Sequence, residues 1–141
     1  MICFLCLIYS RSCGLSLFPL ELKDHPELEN VPEPLNLLGP RETFRFPTLR
    51  SFLDTVAASP PVVNYCVLVG HGALRLRGMN YDHNATLQRE ATSEELAEMK
   101  EWVKEAMEAG AIGMSTGMLP PPPLCLSYLS LFYVSVLSLS S

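Results

Sequence analysis

Hydrophobic and polar positions alternate regularly only in the middle of the chain. Leu49, Phe52, Leu53 and Val56 recur at the spacing of one helix face, which predicts an amphipathic helix. The prolines at 60–61 predict where that helix ends, because proline cannot continue the hydrogen-bond ladder. The first regular element is therefore a short helix with one apolar face.

A buried strand and a second helix follow. Residues 62–69 are apolar on both faces and rich in valine, which is typical of a strand inside a parallel sheet. Residues 73–91 are predicted to form a loop. Thr92 and Glu95 have the spacing of a capping box, so a helix is predicted from there to about Ala109. Its buried stripe is predicted to comprise Leu96, Met99, Val103, Ala106 and Met107.

Residues 111–114 complete the pattern as a short strand. A strand, a crossover containing a helix and a second strand form a βαβ unit, whose strands are parallel and whose crossover is right-handed. The predicted fold class is therefore α/β, with either an open sheet or part of a (β/α) barrel.

The two ends differ from this middle region. Residues 1–45 combine an apolar start with a segment rich in proline and glutamate, and we expect them to be poorly ordered. Residues 119–141 begin with four prolines and continue with leucine, serine and aromatic residues without any charge. We interpret that tail as a translated intron or a mispredicted exon. Sequencing the spliced transcript tests this, and a message that encodes the tail would contradict it.

Composition and charge exclude several classes of protein. Charged residues make up 18% of the chain and its net charge is −5, with no basic run, so we expect no nucleic-acid partner. The apolar run at 2–9 has no basic residue before it, and the run at 124–139 is too short for a bilayer. We therefore expect a cytoplasmic chain that does not associate with a membrane. Five cysteines without a repeated spacing do not indicate a disulfide framework.

Candidate chemistry lies where the two predicted strands end. In α/β folds the working loops follow the carboxyl ends of the strands, and here those loops contain His71 between two glycines, and Ser115, Thr116 and Gly117. The glycines would let the backbone approach a ligand closely, although a histidine at a strand end can also simply bond a backbone carbonyl. The three histidines lack the spacing of a zinc site.

Three ordered segments resemble the N-acyl-D-amino-acid deacylases (D-aminoacylases) of the amidohydrolase superfamily. They are 64–75 (NYCVLVGHGALR), 91–99 (ATSEELAEM) and 105–117 (EAMEAGAIGMSTG). The resemblance covers about residues 46–117. It implies a metal-dependent hydrolase with a (β/α)₈ barrel and a small β-domain, in which a zinc-activated water attacks the amide of an N-acyl-D-amino acid.

The same resemblance implies that the family's metal ligands lie outside 46–117. We therefore assign no catalytic residue and no metal ligand to this chain. The resemblance implies substrate-binding positions only at His71, Ser115, Thr116 and Gly117. The predicted organisation is an N-terminal segment 1–45, an amidohydrolase-like α/β fragment 46–118 and the tail 119–141. The parent would bind zinc and a small N-acyl-amino acid, and we expect this chain alone to be inactive. The alternatives are a non-enzymatic α/β module that associates through its apolar ends, and a different amidohydrolase of the dihydroorotase or hydantoinase type.

Overall fold

The computed structural model describes the backbone of residues 7–9 and then residues 14–26, 28, 30–62 and 64–116. Its strands are β1 (Leu7–Tyr9), β2 (Leu20–Glu21), β3 (Arg45–Phe46), β4 (Asn64–Cys66), β5 (Val69–Gly70) and β6 (Met114–Ser115). Its α-helices are α1 (Leu49–Ala58), α2 (His71–Gly78), α3 (His83–Gln88) and α4 (Ser93–Glu108). Short 3-10 helices span Leu35–Leu38 and Arg41–Thr43. The fold is mixed α/β, as predicted. The tail 119–141 and Gly117 lie outside the described residues.

Both predicted helices form, and local capping explains where they begin. The Thr48 hydroxyl accepts from the Ser51 N–H at the start of α1, at 3.1 Å. The Thr92 hydroxyl accepts from the Glu95 N–H at 3.3 Å, and the Glu95 carboxylate accepts from the Thr92 N–H at 2.8 Å. These reciprocal bonds occupy amide groups that the first turn of a helix leaves without partners.

Helix α4 buries the predicted stripe and ends where predicted. Its buried residues are Met99, Val103, Ala106 and Met107, and Leu96 is half-buried beside them. The helix stops at Glu108. Gly110 follows with φ of +111°, a conformation that a side chain disfavours.

The described strands form three two-stranded sheets, two parallel and one antiparallel. Strand β5 pairs in parallel with β6, which confirms the parallel arrangement predicted for the βαβ unit. Strand β1 pairs in parallel with β4, and β2 pairs antiparallel with β3. The predicted continuous strand 62–69 is interrupted at 67–68, so that its first part pairs with β1 and its second part with β6.

The predicted loop at 73–91 is wrong, because this segment contains α2 and α3. Helix α2 begins directly after β5 and lacks the one-sided apolar pattern on which the prediction relied. It is apolar on two sides: Leu74 belongs to one hydrophobic cluster, whereas Ala73 and Leu76 belong to another. A helix packed on both sides has no wide polar face for periodicity to reveal.

The described part of the N-terminal segment packs into the core, although the sequence leads us to expect poor order there. Leu20 and Leu22 are fully buried, and Phe44 is 1% exposed. Arg41 donates from its guanidinium to the carbonyls of Leu22 and Leu28, at 2.6 and 3.1 Å. These bonds satisfy carbonyl groups of irregular backbone that no strand or helix pairs.

Within the described part of the chain, no helix is both long enough and apolar enough to cross a bilayer.

Candidate functional site

The carboxyl ends of β5 and β6 lie side by side. Val69 is opposite Met114 and Gly70 is opposite Ser115 in the parallel register. The residues that follow these strands therefore emerge at one edge, as expected for an α/β fold. His71, Ser115 and Thr116 are thus brought to the same edge of the sheet, while Gly117 lies outside the described residues.

His71 is the first residue of α2 and is only 3% exposed. Burial, and secondarily the positive charge of Arg75, lowers the pKa of His71 to about 3. Burial disfavours the imidazolium because the charged ring loses its hydration. The imidazole ring is therefore neutral near pH 7. It can donate one hydrogen bond and accept another, but it cannot supply a positive charge to a ligand.

The glycines that flank His71 permit a close approach, and the approaching group is the chain itself. The Gly72 N–H donates to the Gly14 carbonyl at 2.8 Å. A Cβ added at Gly70 would lie 2.5 Å from the carbonyl carbon of Leu15, which is closer than atoms can approach without moving the backbone. The sequence predicts a ligand at these glycines, but backbone 14–16 occupies the adjoining space.

Residues 14–16, which we call the clasp, also bond the ends of both strands. The Gly70 N–H donates to the Ser16 hydroxyl at 3.0 Å, in a buried contact. The Gly14 N–H donates to the Ser115 hydroxyl at 3.3 Å. The Ser115 hydroxyl therefore accepts a hydrogen bond from the backbone of a neighbouring segment.

Thr116 has the most accessible side chain at this edge. It is exposed, whereas Ser115 is half-buried and His71 is buried. A threonine hydroxyl can both donate and accept a hydrogen bond. Of the three described candidates, Thr116 is thus the residue best placed to meet a small polar molecule directly.

Arg75 lies in α2, within the segment that the sequence predicts to be a loop. Its side chain is 3% exposed, and its guanidinium donates to the carbonyls of Thr86 and Arg89 at distances of 2.7 to 3.1 Å. These carbonyls belong to the carboxyl end of α3, where a cation is favourable. Arg75 therefore joins α2 to α3, and no local sequence signal distinguishes it from a solvated arginine.

The histidines and Cys66 lie in separate parts of the described chain. His25 stacks on the ring of Tyr81 with 3.7 Å between centroids, His83 begins α3, and Cys66 lies half-buried in β4. Across residues 14–26, 28, 30–62 and 64–116, no three His, Cys, Asp or Glu side chains come together as a metal site. The described residues therefore do not fit a zinc ion by themselves.

Sequence comparison finds relatives for most of the chain, although no family model matches it. The chain is 42% identical over 115 residues to an N-acyl-D-aspartate deacylase of Alcaligenes xylosoxydans xylosoxydans, covering 82% of this chain and 21% of that enzyme. It is also 42% identical over 115 residues to the D-aminoacylase of the same organism, covering 22% of that protein. The chain therefore spans about a fifth of the length of the relatives that it matches.

Solved structures of proteins with the same kinds of names also superpose on this chain. A crystal structure of D-aminoacylase, an amidohydrolase, superposes with a TM-score of 0.77 at 34% identity, covering 94% of this chain and 26% of that one. The N-acyl-D-glutamate deacylase of Bordetella bronchiseptica, solved with zinc and a phosphonate that mimics the tetrahedral intermediate, gives 0.71 at 30% identity, covering 92% of this chain and 25% of that one. Another D-aminoacylase structure contains copper.

These matches confirm the resemblance that the three sequence segments predict. The likeness extends further than expected, because an alignment over 115 residues is longer than the stretch 46–117. None of these relatives supports the alternative of a non-enzymatic module. The zinc and copper complexes agree with the metal that the resemblance implies for the parent enzymes.

Proposed function

We propose that this chain, which is homologous to a segment of the N-acyl-D-amino-acid deacylases, forms part of a metal-dependent amidohydrolase. The reaction is hydrolysis of the amide C–N bond of an N-acyl-D-amino acid. The observation that carries this proposal is the superposition on D-aminoacylase over 94% of the chain, with a TM-score of 0.77. The strands β4, β5 and β6 would then belong to the wall of a (β/α) barrel.

The edge formed by the ends of β5 and β6 is the proposed substrate-binding face. His71, Ser115, Thr116 and Gly117 belong to it. Thr116 is proposed to bond a polar group of the substrate, because its side chain is exposed at the strand end. His71 is proposed to contribute a buried, neutral ring to this face. Ser115 is proposed to contribute by accepting a hydrogen bond from the Gly14 N–H.

The chain alone is proposed to be inactive. It spans 21% of the length of the deacylase that it matches, whereas a closed (β/α) barrel takes about 250 residues. A sheet that does not close leaves edges without partners and cannot bring ligands together from all strands. Purifying the chain with zinc and measuring hydrolysis of N-acetyl-D-amino acids tests this, with the L-isomers as the control. Metal-dependent turnover of the D-isomers would contradict the proposed inactivity.

A segment swap tests the function itself. The matching part of D-aminoacylase is replaced by this chain, and kcat/KM for N-acetyl-D-amino acids is measured. We expect an active chimera in which Thr116→Val lowers kcat/KM by about 2- to 10-fold, the value of one neutral hydrogen bond. Thr55→Val on the exposed side of α1 is the matched control and should leave kcat/KM unchanged. A folded chimera with no activity would refute the proposal.

A further inference from the structure

His71 and Arg75 lie on successive turns of one face of α2. Residues four apart in an α-helix lie one above the other, and each of these two residues is only 3% exposed. The positive charge of Arg75 acts on the imidazole ring, since it adds to burial in lowering the pKa of His71 to about 3. The two side chains are therefore neighbours in the interior, and His71 is the one that lies at the strand-end edge.

The guanidinium of Arg75 is bonded to two carbonyls at the carboxyl end of α3. Its Nε and Nη2 donate to the Thr86 carbonyl at 3.1 and 2.9 Å, and Nη2 also donates to the Arg89 carbonyl at 2.7 Å. Because the guanidinium is planar and rigid, bonds to two acceptors fix its orientation as well as its position. Arg75 consequently constrains where α2 lies relative to the end of α3.

The residue that accepts from Arg75 at the far side of α3 has fixed bonds of its own. The Arg89 N–H donates to the Ala85 carbonyl at 3.2 Å, and the Arg89 guanidinium donates to the two oxygens of Glu95 at 2.8 and 2.6 Å. Glu95 also accepts from the Thr92 N–H at the start of α4. Arg89 is thus bonded to Arg75 through its backbone and to α4 through its side chain.

We propose that Arg75 is a positioning residue that fixes His71 at the proposed substrate-binding face, and that the Arg89–Glu95 pair holds the anchor of Arg75 on α3. The inference rests on the proposed function, because that function makes the edge containing His71 a binding face. It requires no contact between Arg75 and substrate. The neutral ring of His71 keeps its place because α2 is bonded to α3 one turn further along.

NMR of the full chain, labelled with 15N, tests this positioning at pH 7. Arg75→Lys retains the charge but not the planar fork, so the ring and amide resonances of His71 should shift. Arg75→Met removes every donor and should shift them further in the same direction. Two buried carbonyls lose their donor in Arg75→Met, and if that variant does not fold, the comparison of Arg75→Lys with the unaltered chain decides.

Arg89→Met tests the anchor from a residue far from His71 in the sequence. The Arg89 side chain is exposed, and its loss breaks the pair with Glu95 while the backbone carbonyl at 89 remains. We expect the His71 ring resonances to shift in the same direction as in Arg75→Lys. In a chain that already carries Arg75→Lys, Arg89→Met should add less than its full shift, because coupled sites are not additive.

Arg50→Met is the matched control, since Arg50 is exposed on α1 and its loss removes the same charge. It should leave the resonances of His71 unchanged. Unchanged His71 resonances in either Arg75→Lys or Arg89→Met would overturn the inference, as would equal shifts in Arg50→Met. The experiment does not depend on catalysis, so an inactive segment swap together with the expected shifts would refute only the proposed function.

Discussion

Two hydrophobic clusters meet at helix α2, and they are built from different kinds of sequence. The first collects the apolar faces of regular elements, including Leu49 of α1 and Met99 and Val103 of α4. The second collects side chains from the irregular N-terminal segment and the other side of α2: Leu15, Leu20, Leu22, Leu35, Phe44, Ala73 and Leu76. Only the first cluster has a periodic pattern along the chain.

The difference shows how irregular backbone can be buried. In the first cluster, helix and strand ladders satisfy the backbone groups. In the second region, arginine side chains also donate to backbone carbonyls. Arg41 bonds two carbonyls of 22–28, and Arg77 bonds the carbonyls of Pro19 and Pro47 at 3.3 and 2.5 Å. Arg77 also lies over the ring of Trp102 at 4.3 Å. Cations thus compensate polar groups that secondary structure leaves unpaired.

Whether both clusters stabilise the fold is tested by removing one fully buried side chain from each. Leu22→Ala and Met99→Ala should each lower the free energy of unfolding by about 2–5 kcal/mol, through lost burial and a cavity. Urea denaturation measures this. Leu37 is 79% exposed, so Leu37→Ala is the control and should change stability by less than about 0.5 kcal/mol. A negligible effect of Leu22→Ala would show that the second cluster is not a core.

The close contact between Gly70 of β5 and the clasp is tested by adding a methyl group there. Gly70→Ala should lower the free energy of unfolding by about 1–3 kcal/mol, because the new methyl group collides with the clasp backbone. Gly72→Ala is the matched comparison. Its Cβ would lie 3.1 Å from the Gly14 carbonyl oxygen, and alanine is favoured over glycine within a helix by about 1 kcal/mol. The structure is contradicted if Gly70→Ala proves as mild as Gly72→Ala.

The buried ring of His71 predicts acid-sensitive stability. Its pKa is lowered to about 3, so below the ordinary histidine pKa the unfolded chain binds a proton that the folded chain does not. The free energy of unfolding should therefore fall as the pH decreases from about 6.5, with a slope approaching 1.4 kcal/mol per pH unit.

Urea titrations between about pH 7 and pH 5 measure this slope above the range in which carboxylates titrate. His71→Asn should flatten the slope, whereas His83→Asn should retain it. An unaltered slope in His71→Asn would assign the acid sensitivity to another group.

The smallest expected effect concerns the capping of α4, which supports the first cluster alone. Thr92→Ala should lower the free energy of unfolding by about 1 kcal/mol, since the Glu95 N–H loses its acceptor. Thermal unfolding followed by circular dichroism measures the change. Thr55→Ala on the exposed surface of α1 is the control, with an expected change below about 0.5 kcal/mol. Equal effects of the two substitutions would remove the capping explanation.

The regular elements could be predicted because their signals are local. Thr92 and Glu95 are three residues apart, and the stripe from Met99 to Met107 repeats within one helix. The parallel pairing of β5 with β6 also followed from the order of the elements. In contrast, the strand predicted at 62–69 divides between two partners, and which neighbour each half meets is not encoded in its own composition.

The candidate face was only partly predictable. His71, Ser115 and Thr116 were placed at one edge by the rule for strand ends, and the structure places them there. The sequence pattern does not predict the burial of His71 or the carbonyl partners of Arg75, because it does not reveal helix α2. The arginines and glycines of α2 interrupt the apolar periodicity that would indicate a helix. Arg75 can be buried because its guanidinium donates to the Thr86 carbonyl in α3.

The sequence by itself determined the capped helices, the parallel pairing of β5 with β6 and the resemblance to the deacylases. Local spacing specifies the helices, the order of the elements specifies the pairing, and continuous segments carry the resemblance. Only the tertiary structure decided that the clasp bonds the ends of both strands, at Gly70 and Ser115, while Thr116 stays exposed. The clasp bonds join Ser16 to Gly70 and Gly14 to Ser115 across 54 and 101 positions. Contacts at such separations arise from packing of the whole chain, and no local pattern specifies them.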